Sequence, residues 1–367
     1  MRILQITFSL SSGGGERFVV DLSNELSKTE NVVLVQILSN DDMANAHYLP
    51  DLSSKVKYLN LGFKKGVSLG VLIELFCIIK KEKPDVVNAH CTLLPIVLAS
   101  FFYRKPRYFH TLHSLAERCL GPLWLKPLYK NLYRYRVKAI TISTICRESY
   151  ERLYSMKNAL MISNGRSPIK ETEKQNEVCK EIGLLKLHSD DKVFVHVARF
   201  HPVKNQQLLF RTFKRLICEG EHIILIVIGN GYDDHPELNK TLCQGMYLLG
   251  EKNNVGDYLA CSDFFVMSSL KEGLPISLLE AMSLGVIPVS TPAGGVCDVI
   301  RNHENGYLSQ SHAIDDFYRT VKESINNVAG ISPTVIKKEY IEKYSMDRCS
   351  HDYLNAYSSQ FDNSALL

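Results

Sequence analysis

Two glutamates eight residues apart, Glu272 and Glu280, bracket the most distinctive run of the sequence. Gly-Leu-Pro follows the first of them, and because proline suits the first turn of a helix, Pro275 predicts a helix that begins there. Unpaired amides at a helix amino terminus favour anions. The amides expected to face an anion are those of Gly273, Leu274 and Ile276. Glutamates at this spacing are ordinarily solvated, but their place at a helix start favours a functional role.

Two cations, Arg199 and Lys204, follow an apolar, strand-like run and precede a predicted helix. In a parallel α/β sheet this position is the carboxyl end of a strand, where ligands bind. Together they could neutralise a diphosphate without a metal, since hydrogen bonds to charged groups contribute roughly 1.5–3 kcal/mol each. The plainer interpretation is two solvated surface cations, the usual environment of Arg and Lys.

Three consecutive glycines and a glutamate, Gly13 to Glu16, lie between the first predicted strand and the first predicted helix. Glycine lets a backbone approach a ligand closely, and the following helix start favours an anion. The run is not the dinucleotide fingerprint G-x-G-x-x-G, because Phe18 stands at the third glycine position. A flexible strand–helix turn explains it equally well.

Three histidines lie near the ends of two predicted strands, at His90, His110 and His113. A single histidine is more often structural than catalytic, but clustering at strand ends favours function. Metal ligation is disfavoured, because there is no His-Glu-x-x-His motif and no cysteine pair at metal-ligand spacing.

The composition is that of a soluble globular chain with two domains: 367 residues, 45% hydrophobic and 22% charged. The net charge of +4 is too small to predict a nucleic-acid partner. The charge is unevenly divided, with 22 basic and 13 acidic residues in 1–165 (22 − 13 = +9) and 21 basic and 26 acidic in the remainder (21 − 26 = −5). The first half is therefore the one expected to meet an anionic partner.

Ten cysteines without a C-x-x-C motif predict reduced thiols and hence the cytoplasm, because a chain of this length can build a large core without disulfides. The first eight residues are strand-like rather than a signal peptide. The longest apolar stretch free of charged residues, 86–103, divides into a strand and a helix, so no transmembrane helix is expected.

Strand-like and helix-like runs alternate along the chain, which favours parallel sheets covered by helices on both faces. Strands are predicted at 3–8, 32–38, 86–89, 108–112, 140–143, 159–163, 193–198, 223–228, 264–267 and 287–290. Helices are predicted at 16–26, 69–81, 95–102, 123–137, 205–219, 275–284, 312–327 and 336–360.

This alternation is interrupted once, by a polar segment at 166–191 that we interpret as a linker with a short helix. We therefore expect an amino-terminal domain at 1–165 and a second domain at 192–340, followed by a helix and tail at 341–367. Both domains are predicted to be doubly wound α/β folds that face each other across a cleft and share one ligand.

The residues from Glu272 to Gly295 resemble the signature of retaining GT-B glycosyltransferases, specifically glycosyltransferase family 4. The matching parts are Glu272-Gly273-Leu274-Pro275, Glu280-Ala281-Met282, Gly285 to Val289, and Gly294-Gly295. Supporting matches are the early Gly-Gly-x-Glu, Arg199, Lys204, Gly229, Gly231 and the Asn305-Gly306 turn. The resemblance spans essentially the whole chain and implies two Rossmann-like domains, the first binding the acceptor and the second the nucleotide sugar, with a C-terminal helix that crosses back to the first.

The resemblance implies a role for each matching residue. Arg199 and Lys204 would bind the donor diphosphate, Glu280 the ribose hydroxyls and Glu272 the donor sugar, with His113 near that sugar and the scissile bond. The amides of Gly273, Leu274 and Ile276 would contact sugar and phosphate, Gly14 and Gly15 would close on the phosphates, and Leu248 and Leu249 would frame the base.

Some residues depart from the family pattern. Ala198 and Asn205 replace glycines, and Asp298 replaces a glutamate. The segment 231–250 is short, which weakens the prediction of the base. No Asp-x-Asp occurs, consistent with phosphate neutralisation by cations and with no metal or other cofactor.

The family implies transfer of a sugar from a nucleotide-diphosphate sugar, with UDP the favoured nucleotide, to a glycan or lipid-linked acceptor of cell-surface polysaccharide or glycolipid. The segment Leu120–Lys138, rich in Leu, aromatic and basic residues, could lie on an anionic membrane. It could equally be a helix packed on its own sheet. We expect a cytoplasmic protein, peripheral on the inner face of the membrane, with no nucleic-acid partner.

Two other functions remain open from the sequence. One is a sugar-nucleotide 2-epimerase, which binds the same donor but needs no acceptor. The other is a non-catalytic subunit that binds nucleotide sugars. The paired glutamates argue against the first, and the intact charged positions argue against the second.

Overall fold

The structure is a computed structural model that describes residues 1–64, 68–90, 92–232, 235, 238 and 240–359. The chain folds into two compact units. The first unit contains Met1–Arg166 and the segment that begins at Tyr344, and the second contains Ser167–Lys343. Cys91 and the end of the expected tail, 360–367, lie outside the described residues.

The first unit is built on a parallel sheet. Its strands are β1 (Arg2–Thr7), β2 (Asn31–Leu38), β3 (Lys57–Phe63), β4 (Val86–Ala89), β5 (Arg107–Leu112), β6 (Val137–Thr141) and β7 (Leu160–Met161). They pair in the order β3-β2-β1-β4-β5-β6-β7, all in parallel. The order reverses between β1 and β4, and the carboxyl ends of strands at such a reversal form the usual ligand site.

Helices follow most of these strands and bury their apolar faces on the sheet. They are α1 (Gly14–Leu26), α2 (Leu69–Glu82), α3 (Val97–Phe102), α4 (Ala116–Leu120), α5 (Lys126–Tyr135) and α6 (Thr144–Tyr154). Serine hydroxyls cap two of them, since Ser68 accepts a bond from the Val71 amide and Ser143 accepts one from Cys146. In α1, Phe18 and Leu22 lie fully in the core.

The second unit repeats the design with a six-stranded sheet. Its strands are β8 (Lys192–Val197), β9 (Ile223–Ile228), β10 (Met246–Leu248), β11 (Phe264–Met267), β12 (Ile287–Ser290) and β13 (Tyr307–Leu308). Its helices are α7 (Gln175–Leu185), α8 (Gln206–Cys218), α9 (Val255–Ala260), α10 (Ile276–Leu284), α11 (Val296–Val299), α12 (Ile314–Asn326) and α13 (Pro333–Glu339). The order β10-β9-β8-β11-β12-β13 reverses between β8 and β11. The predicted class, two doubly wound α/β folds, is confirmed.

The tail that was predicted to be helical at 336–360 is helical in its described part, but it is not one continuous helix. After α13 the chain makes one π-helical turn, Tyr340–Tyr344, and α14 (Met346–Ser358) then begins afresh, with the Ser345 hydroxyl accepting a bond from the Arg348 amide. A serine cap marks a new helix start rather than a helix interior. Helix α14 belongs to the first unit and packs on α1.

The polar segment expected as a linker is not one, because residues 167–191 belong to the second unit. Helix α7 buries Val178 and Ile182 and packs on α9. Thr172, just before α7, donates from its amide and its hydroxyl to the two carboxylate oxygens of Asp257, each at 2.6 Å. The segment is rich in Lys and Glu, and its helix needs only two apolar side chains to pack on the unit. The packing therefore left no clear pattern in the sequence.

Three strands were not predicted from the sequence: β3, β10 and β13. Strand β3 lies at the sheet edge and is only partly buried, with polar residues along it. The other two contain three and two residues. Apolar periodicity is weak in edge strands and unreadable in such short ones.

The expectation of ten reduced thiols is wrong for one pair, because Cys179 of α7 and Cys261 after α9 form a disulfide. The packing of these helices brings together two cysteines that are 82 residues apart in sequence. Spacing along the chain gives no sign of such a contact. Among the described residues, no helix is long and apolar enough to span a membrane.

Candidate active site

The second unit brings together a lysine and a glutamate that the sequence singled out separately. Lys204 Nζ lies 2.8 Å from Glu272 Oε1, and the two side chains are 25% and 12% exposed. Lys204 follows β8 and Glu272 follows β11, the two strands at which the sheet order reverses. The pair is therefore at the expected ligand site of this sheet.

Hydrogen bonds to its backbone fix the loop between β8 and α8, which carries Arg199 and Lys204, at the carboxyl end of the sheet. The Ser268 hydroxyl, just after β11, contacts the carbonyl oxygens of Lys204 and Asn205 at 2.9 and 3.0 Å. Gln206 Nε2 donates to the Arg199 carbonyl at 3.0 Å, and the Arg199 side chain is exposed. Asn205 has φ of 52°, in the left-handed region. This explains the departure from glycine, since Asn is among the few other residues that tolerate that region.

Helix α10 begins next to the ion pair. It starts at Ile276, one residue later than predicted, with Pro275 as an extended N-cap that has no side-chain cap. The first amides of an α-helix have no acceptor within the helix, so a ligand role for those of α10 stays a prediction. Leu274 and Ile276 bury their side chains, so each offers backbone to this edge, while Glu280 in the second turn is partly exposed.

The carboxyl end of β9 comes unusually close to that of β8. Gly229 has φ of 149°, and a Cβ there would lie 2.1 Å from the Ala198 carbonyl oxygen, so only glycine fits. The Gly229 amide donates to Gly250, and the neighbouring Leu249 amide donates to Val227, at 2.9 Å each. Leu249 is thereby fixed at this edge with its side chain partly exposed.

In the first unit, the triple glycine forms the turn from β1 into α1. Gly13 is an extended N-cap, Gly14 and Gly15 form the first turn of α1, and the Glu16 carboxylate folds back to this helix start, since a Cβ on Gly13 would collide with Glu16 Oε2. A Cβ on Gly15 would lie 3.7 Å from the ring of His113. The glycine turn and the histidine are therefore neighbours, as the predicted site requires.

His113 belongs to a hydrogen-bond network of buried side chains. It directly follows β5, and its Nε2 lies 3.0 Å from Nδ1 of His90, which directly follows β4. His90 Nε2 lies 2.6 Å from Gln5 Oε1. The nearer neighbour of His90 Nε2 is the Gln5 oxygen, which only accepts, so His90 carries its proton on Nε2 and accepts through Nδ1. Asn88 Nδ2, a donor at 3.1 Å, makes no hydrogen bond to the protonated nitrogen in this arrangement. His113 then donates through Nε2.

This assignment leaves the His113 Nδ1 lone pair as an acceptor. That nitrogen is buried and has no hydrogen-bond partner among the residues that the structure describes. Burial, followed by the charge of His110, lowers the pKa of His113 to about 3. Burial also lowers the pKa of His90 well below its usual range, with His113 as the next cause. Both rings are thus neutral near pH 7.

The C-terminal helix completes this network. Tyr357 OH of α14 accepts from Asn88 Nδ2 at 2.8 Å, and Asn88 Nδ2 also lies 3.1 Å from His90 Nε2. Tyr353 OH lies 3.3 Å from the Thr111 hydroxyl. The sequence analysis missed Gln5, Asn88 and these tyrosines. The available signal was polar residues within otherwise apolar strands, together with tyrosines four residues apart on one helix face.

His110, which the sequence groups with the other histidines, has a different role. It points into the core, where its Nδ1 lies 2.6 Å from Tyr133 OH. Among the described residues, the one cluster with metal-ligand geometry is His188, Asp191 and His222, near the amino ends of β8 and β9. It therefore lies away from the predicted site.

The segment Leu120–Lys138 is not one continuous helix. A short turn, Leu123–Leu125, precedes α5, whose Tyr129, Leu132 and Tyr133 are buried in the core. The apolar face of α5 therefore packs in the core of its own unit. Leu123 and Trp124 remain 77% and 75% exposed.

Two family models match the chain. One, described as Glycosyl transferases group 1, matches residues 181–343, and the other, described as Glycosyltransferase Family 4, matches residues 12–168. The matches correspond closely to the two units and include the glutamate pair, both cations, the glycine turn and His113.

Named relatives point the same way. The chain is 27% identical over 296 residues to an Escherichia coli UDP-Gal:alpha-D-GlcNAc-diphosphoundecaprenol alpha-1,3-galactosyltransferase, covering 76% of this chain and 74% of the relative. It is 25% identical over 246 residues to the N-acetyl-alpha-D-glucosaminyl L-malate synthase of Bacillus anthracis, covering 63% and 62%.

A solved structure shares the fold. Anabaena HepE in complex with UDP-glucose superposes with a TM-score of 0.79 at 17% identity, covering 98% of this chain and all of that one. At this identity the likeness shows the fold alone, and it agrees with the two parallel sheets described above. The chain thus belongs to glycosyltransferase family 4 and is a glycosyltransferase of the GT-B fold.

Proposed function

We propose that the protein transfers a hexosyl group from a UDP-sugar to a glycan or lipid-linked acceptor, with retention of anomeric configuration, in the assembly of a cell-surface polysaccharide or glycolipid. The observation that carries the proposal is the ion pair of Lys204 and Glu272 beside the uncapped start of α10. A cation and open helix amides at one strand edge suit a diphosphate leaving group.

The reaction develops negative charge on the departing diphosphate and positive charge on the sugar carbon. Arg199 and Lys204 stabilise the first, together with the amides of Gly273, Leu274 and Ile276. Such groups favour the transition state over the ground state because the charge grows as the bond breaks. With two cations in place, no metal is needed for this step. The ion pair with Glu272 holds Lys204 at the carboxyl end of the sheet.

The remaining site residues bind the rest of the donor. Glu280 accepts from the ribose hydroxyls, Glu272 contacts the donor sugar, and Leu249 frames the base. Gly14 and Gly15, in the first turn of α1, contact the phosphates. His113 accepts a hydrogen bond through Nδ1 from a hydroxyl near the scissile bond, a role that its neutral state and buried acceptor suit.

The acceptor is proposed from the relatives and from the surface of the first unit. The Escherichia coli relative is named for an acceptor on diphosphoundecaprenol, whereas the Bacillus anthracis relative is named for malate. Exposed Leu123 and Trp124, followed by Lys126 and Lys130, provide an apolar tip with adjacent cations. Such a tip suits an anionic membrane surface. We therefore favour the lipid-linked acceptor and a place on the cytoplasmic face.

The test is a donor screen by titration with UDP, GDP and ADP, followed by turnover of the matching nucleotide sugars and analysis of the product anomer. We expect binding of UDP, reduced at least about tenfold in Glu280→Ala because a charged acceptor for ribose is lost. Glu177→Ala, an exposed glutamate on α7, is the matched control. Failure of all three nucleotides to bind would refute the proposal, as would release of an epimerised donor without an acceptor.

The membrane part has a separate test. Flotation with phosphatidylglycerol vesicles is expected for the native protein and is expected to fall several-fold in Trp124→Ala, since an exposed aromatic anchor is removed. Phe102→Ala is the control, because it removes another ring of 75% exposure from the same unit. Equal loss in both variants, or no flotation of the native protein, would contradict the membrane contact.

A further inference from the structure

The first unit has a second concave site, at the amino ends of its strands, whereas His113 lies at their carboxyl ends. A pocket of about 560 Å³ opens there, at the amino ends of β5 and β6. Six cations line it: Arg104, Lys105, Arg107, Arg134, Arg136 and Lys138. The described residues around the pocket include no Asp or Glu. A lining whose charged side chains are all cations is typical of an anion site rather than of an ordinary mixed-charge surface.

The sheet register explains why these cations meet. Strands β5 and β6 are parallel, and Tyr108 pairs with Val137. The residues just before them, Arg107 and Arg136, therefore lie side by side at the start of the two strands. The end of α5 adds Arg134, and the loop after α3 adds Arg104. Two basic segments distant in sequence are thus aligned by backbone pairing.

Within the part of the chain that the structure describes, these cations have no carboxylate partners. None of the six forms an ion pair with a carboxylate among the residues that the structure describes, and Arg107 donates to the Ser359 carbonyl at 3.1 Å. Burial, followed by the like charge of Arg104, lowers the pKa of Arg136. Such a cluster costs folding stability through mutual repulsion, and the described residues around it supply no carboxylate to offset that cost.

This pocket is separate from the sites already described. Arg107 begins β5 and His113 follows its end, so the pocket and the histidine are about 20 Å apart at roughly 3.3 Å per residue. The exposed Leu123 and Trp124 precede α5, whereas Arg134 lies in its last turn, about 15 Å along a ten-residue helix. Neither the donor site nor the proposed membrane tip accounts for the six cations.

We propose that this pocket binds a multiply charged phosphate anion, a diphosphate or triphosphate group in solution or the clustered phosphates of an anionic lipid surface. Guanidinium groups match phosphate oxygens in pairs, and three segments of backbone hold them around one cavity. The exposed Tyr135 ring, 5.9 Å from the Arg134 guanidinium carbon, forms part of the rim. The inference does not depend on the donor or the acceptor.

The test compares two double variants with the same change in net charge. Arg104→Gln with Arg134→Gln removes two of the six charges of the pocket, and Lys80→Gln with Lys81→Gln removes two exposed cations of α2 outside it. Sodium tripolyphosphate is titrated into each protein at low ionic strength with excess UDP present, so that the donor site is occupied. Phosphatidylglycerol vesicles are used in a parallel assay.

We expect the pocket variant to bind at least about tenfold more weakly than the native protein, since charged hydrogen bonds are lost, and the α2 variant to bind within about twofold. Loss in the tripolyphosphate assay assigns the site to a soluble anion, and loss with vesicles alone assigns it to a lipid surface. Equal weakening in both variants, or no binding to either probe, would overturn the proposal. Thermal unfolding of each variant confirms that it is folded.

Discussion

The two candidate ligand sites, at the carboxyl ends of the two sheets, differ in the charge of their side chains. In the second unit the edge is charged, with Lys204 and Glu272 in a partly exposed ion pair. In the first unit it is neutral, with His113, His90 and Gln5 in a buried hydrogen-bonded chain. Both edges lie where the strand order of a parallel sheet reverses. The same topology has thus produced one site for charge and one for directed hydrogen bonds.

From this difference we infer that the two sites bind different chemical groups of the substrates. A charged edge suits the diphosphate, whose charge grows during the reaction, whereas neutral rings suit uncharged hydroxyls. An imidazolium at the first edge would be a donor only and could not accept from a hydroxyl. Burial keeps His113 neutral and therefore able to accept.

Removing the charge from the second edge is the largest expected effect. Lys204→Ala should lower turnover by roughly 10²–10³, the range for losing one donor aimed at developing charge. Steady-state assays with the native donor measure this. Arg211→Ala, an exposed cation on α8, should leave turnover within about twofold. Native turnover in Lys204→Ala would show that the charged edge is not where the leaving group binds.

The units also differ in covalent reinforcement, because the described disulfide belongs to the second unit. Cys179→Ser should lower the free energy of unfolding of that unit by about 2–4 kcal/mol, since the bond closes a long loop. Denaturant unfolding with and without reductant measures this. The first unit serves as the internal control, and an unchanged transition in the second unit would show that the bond does not form in solution.

The predicted fold depended on features that the sequence displays openly. Apolar runs such as Ile223–Ile228 and Phe264–Met267 predicted their strands to the residue, because buried parallel strands are continuously apolar. The disulfide and the edge strand β3 were not predictable in this way. The first depends on helix packing between distant segments, and the second lacks a buried apolar pattern.

Buried histidines in both units make stability depend on pH. Burial lowers the pKa of His196 to about 4 and that of His113 to about 3, below the unfolded value of about 6.5. The unfolded chain therefore binds more protons between these values, so stability is complete above about pH 6.5 and falls as the pH drops towards 4. The expected loss is about 2 kcal/mol per histidine between pH 7 and pH 5.

The pH prediction is checked with His196→Gln, which removes one titrating ring from the second unit. Its free energy of unfolding should fall less steeply between pH 7 and pH 5 than that of the native protein. The slope is the readout, because the substitution also changes stability at neutral pH. An unaltered slope would mean that the folded ring takes up its proton as readily as the unfolded one.

The smallest expected effect is on the orientation of His113. His90→Phe removes the acceptor of the His113 Nε2 proton, so we expect kcat to fall by roughly tenfold, the worth of about one hydrogen bond, with KM for the donor little changed. Nitrogen NMR of the imidazoles should show His113 protonated on Nε2 in the native protein and mixed in the variant. Tyr357→Phe, one bond further along the chain, should have a smaller effect.

A native His113 protonated on Nδ1 would contradict the hydrogen-bond chain whatever the kinetics. This part of the site could not be predicted from the sequence beyond the histidines themselves. Gln5, Asn88 and Tyr357 come from separate elements, and only the folded chain brings them to one network. Lys204 and Glu272 were predicted as site residues because one follows a buried strand and the other precedes a helix start. Their ion pair was not predicted.

The most direct test of the division between the edges is calorimetric titration of UDP into the native protein, Lys204→Ala and His113→Ala. The account predicts that Lys204→Ala weakens UDP binding at least about tenfold, because a charged contact to the diphosphate is lost. It predicts that His113→Ala binds UDP within about twofold of the native protein while its turnover falls. Native affinity in Lys204→Ala, or loss of UDP binding in His113→Ala, would contradict it.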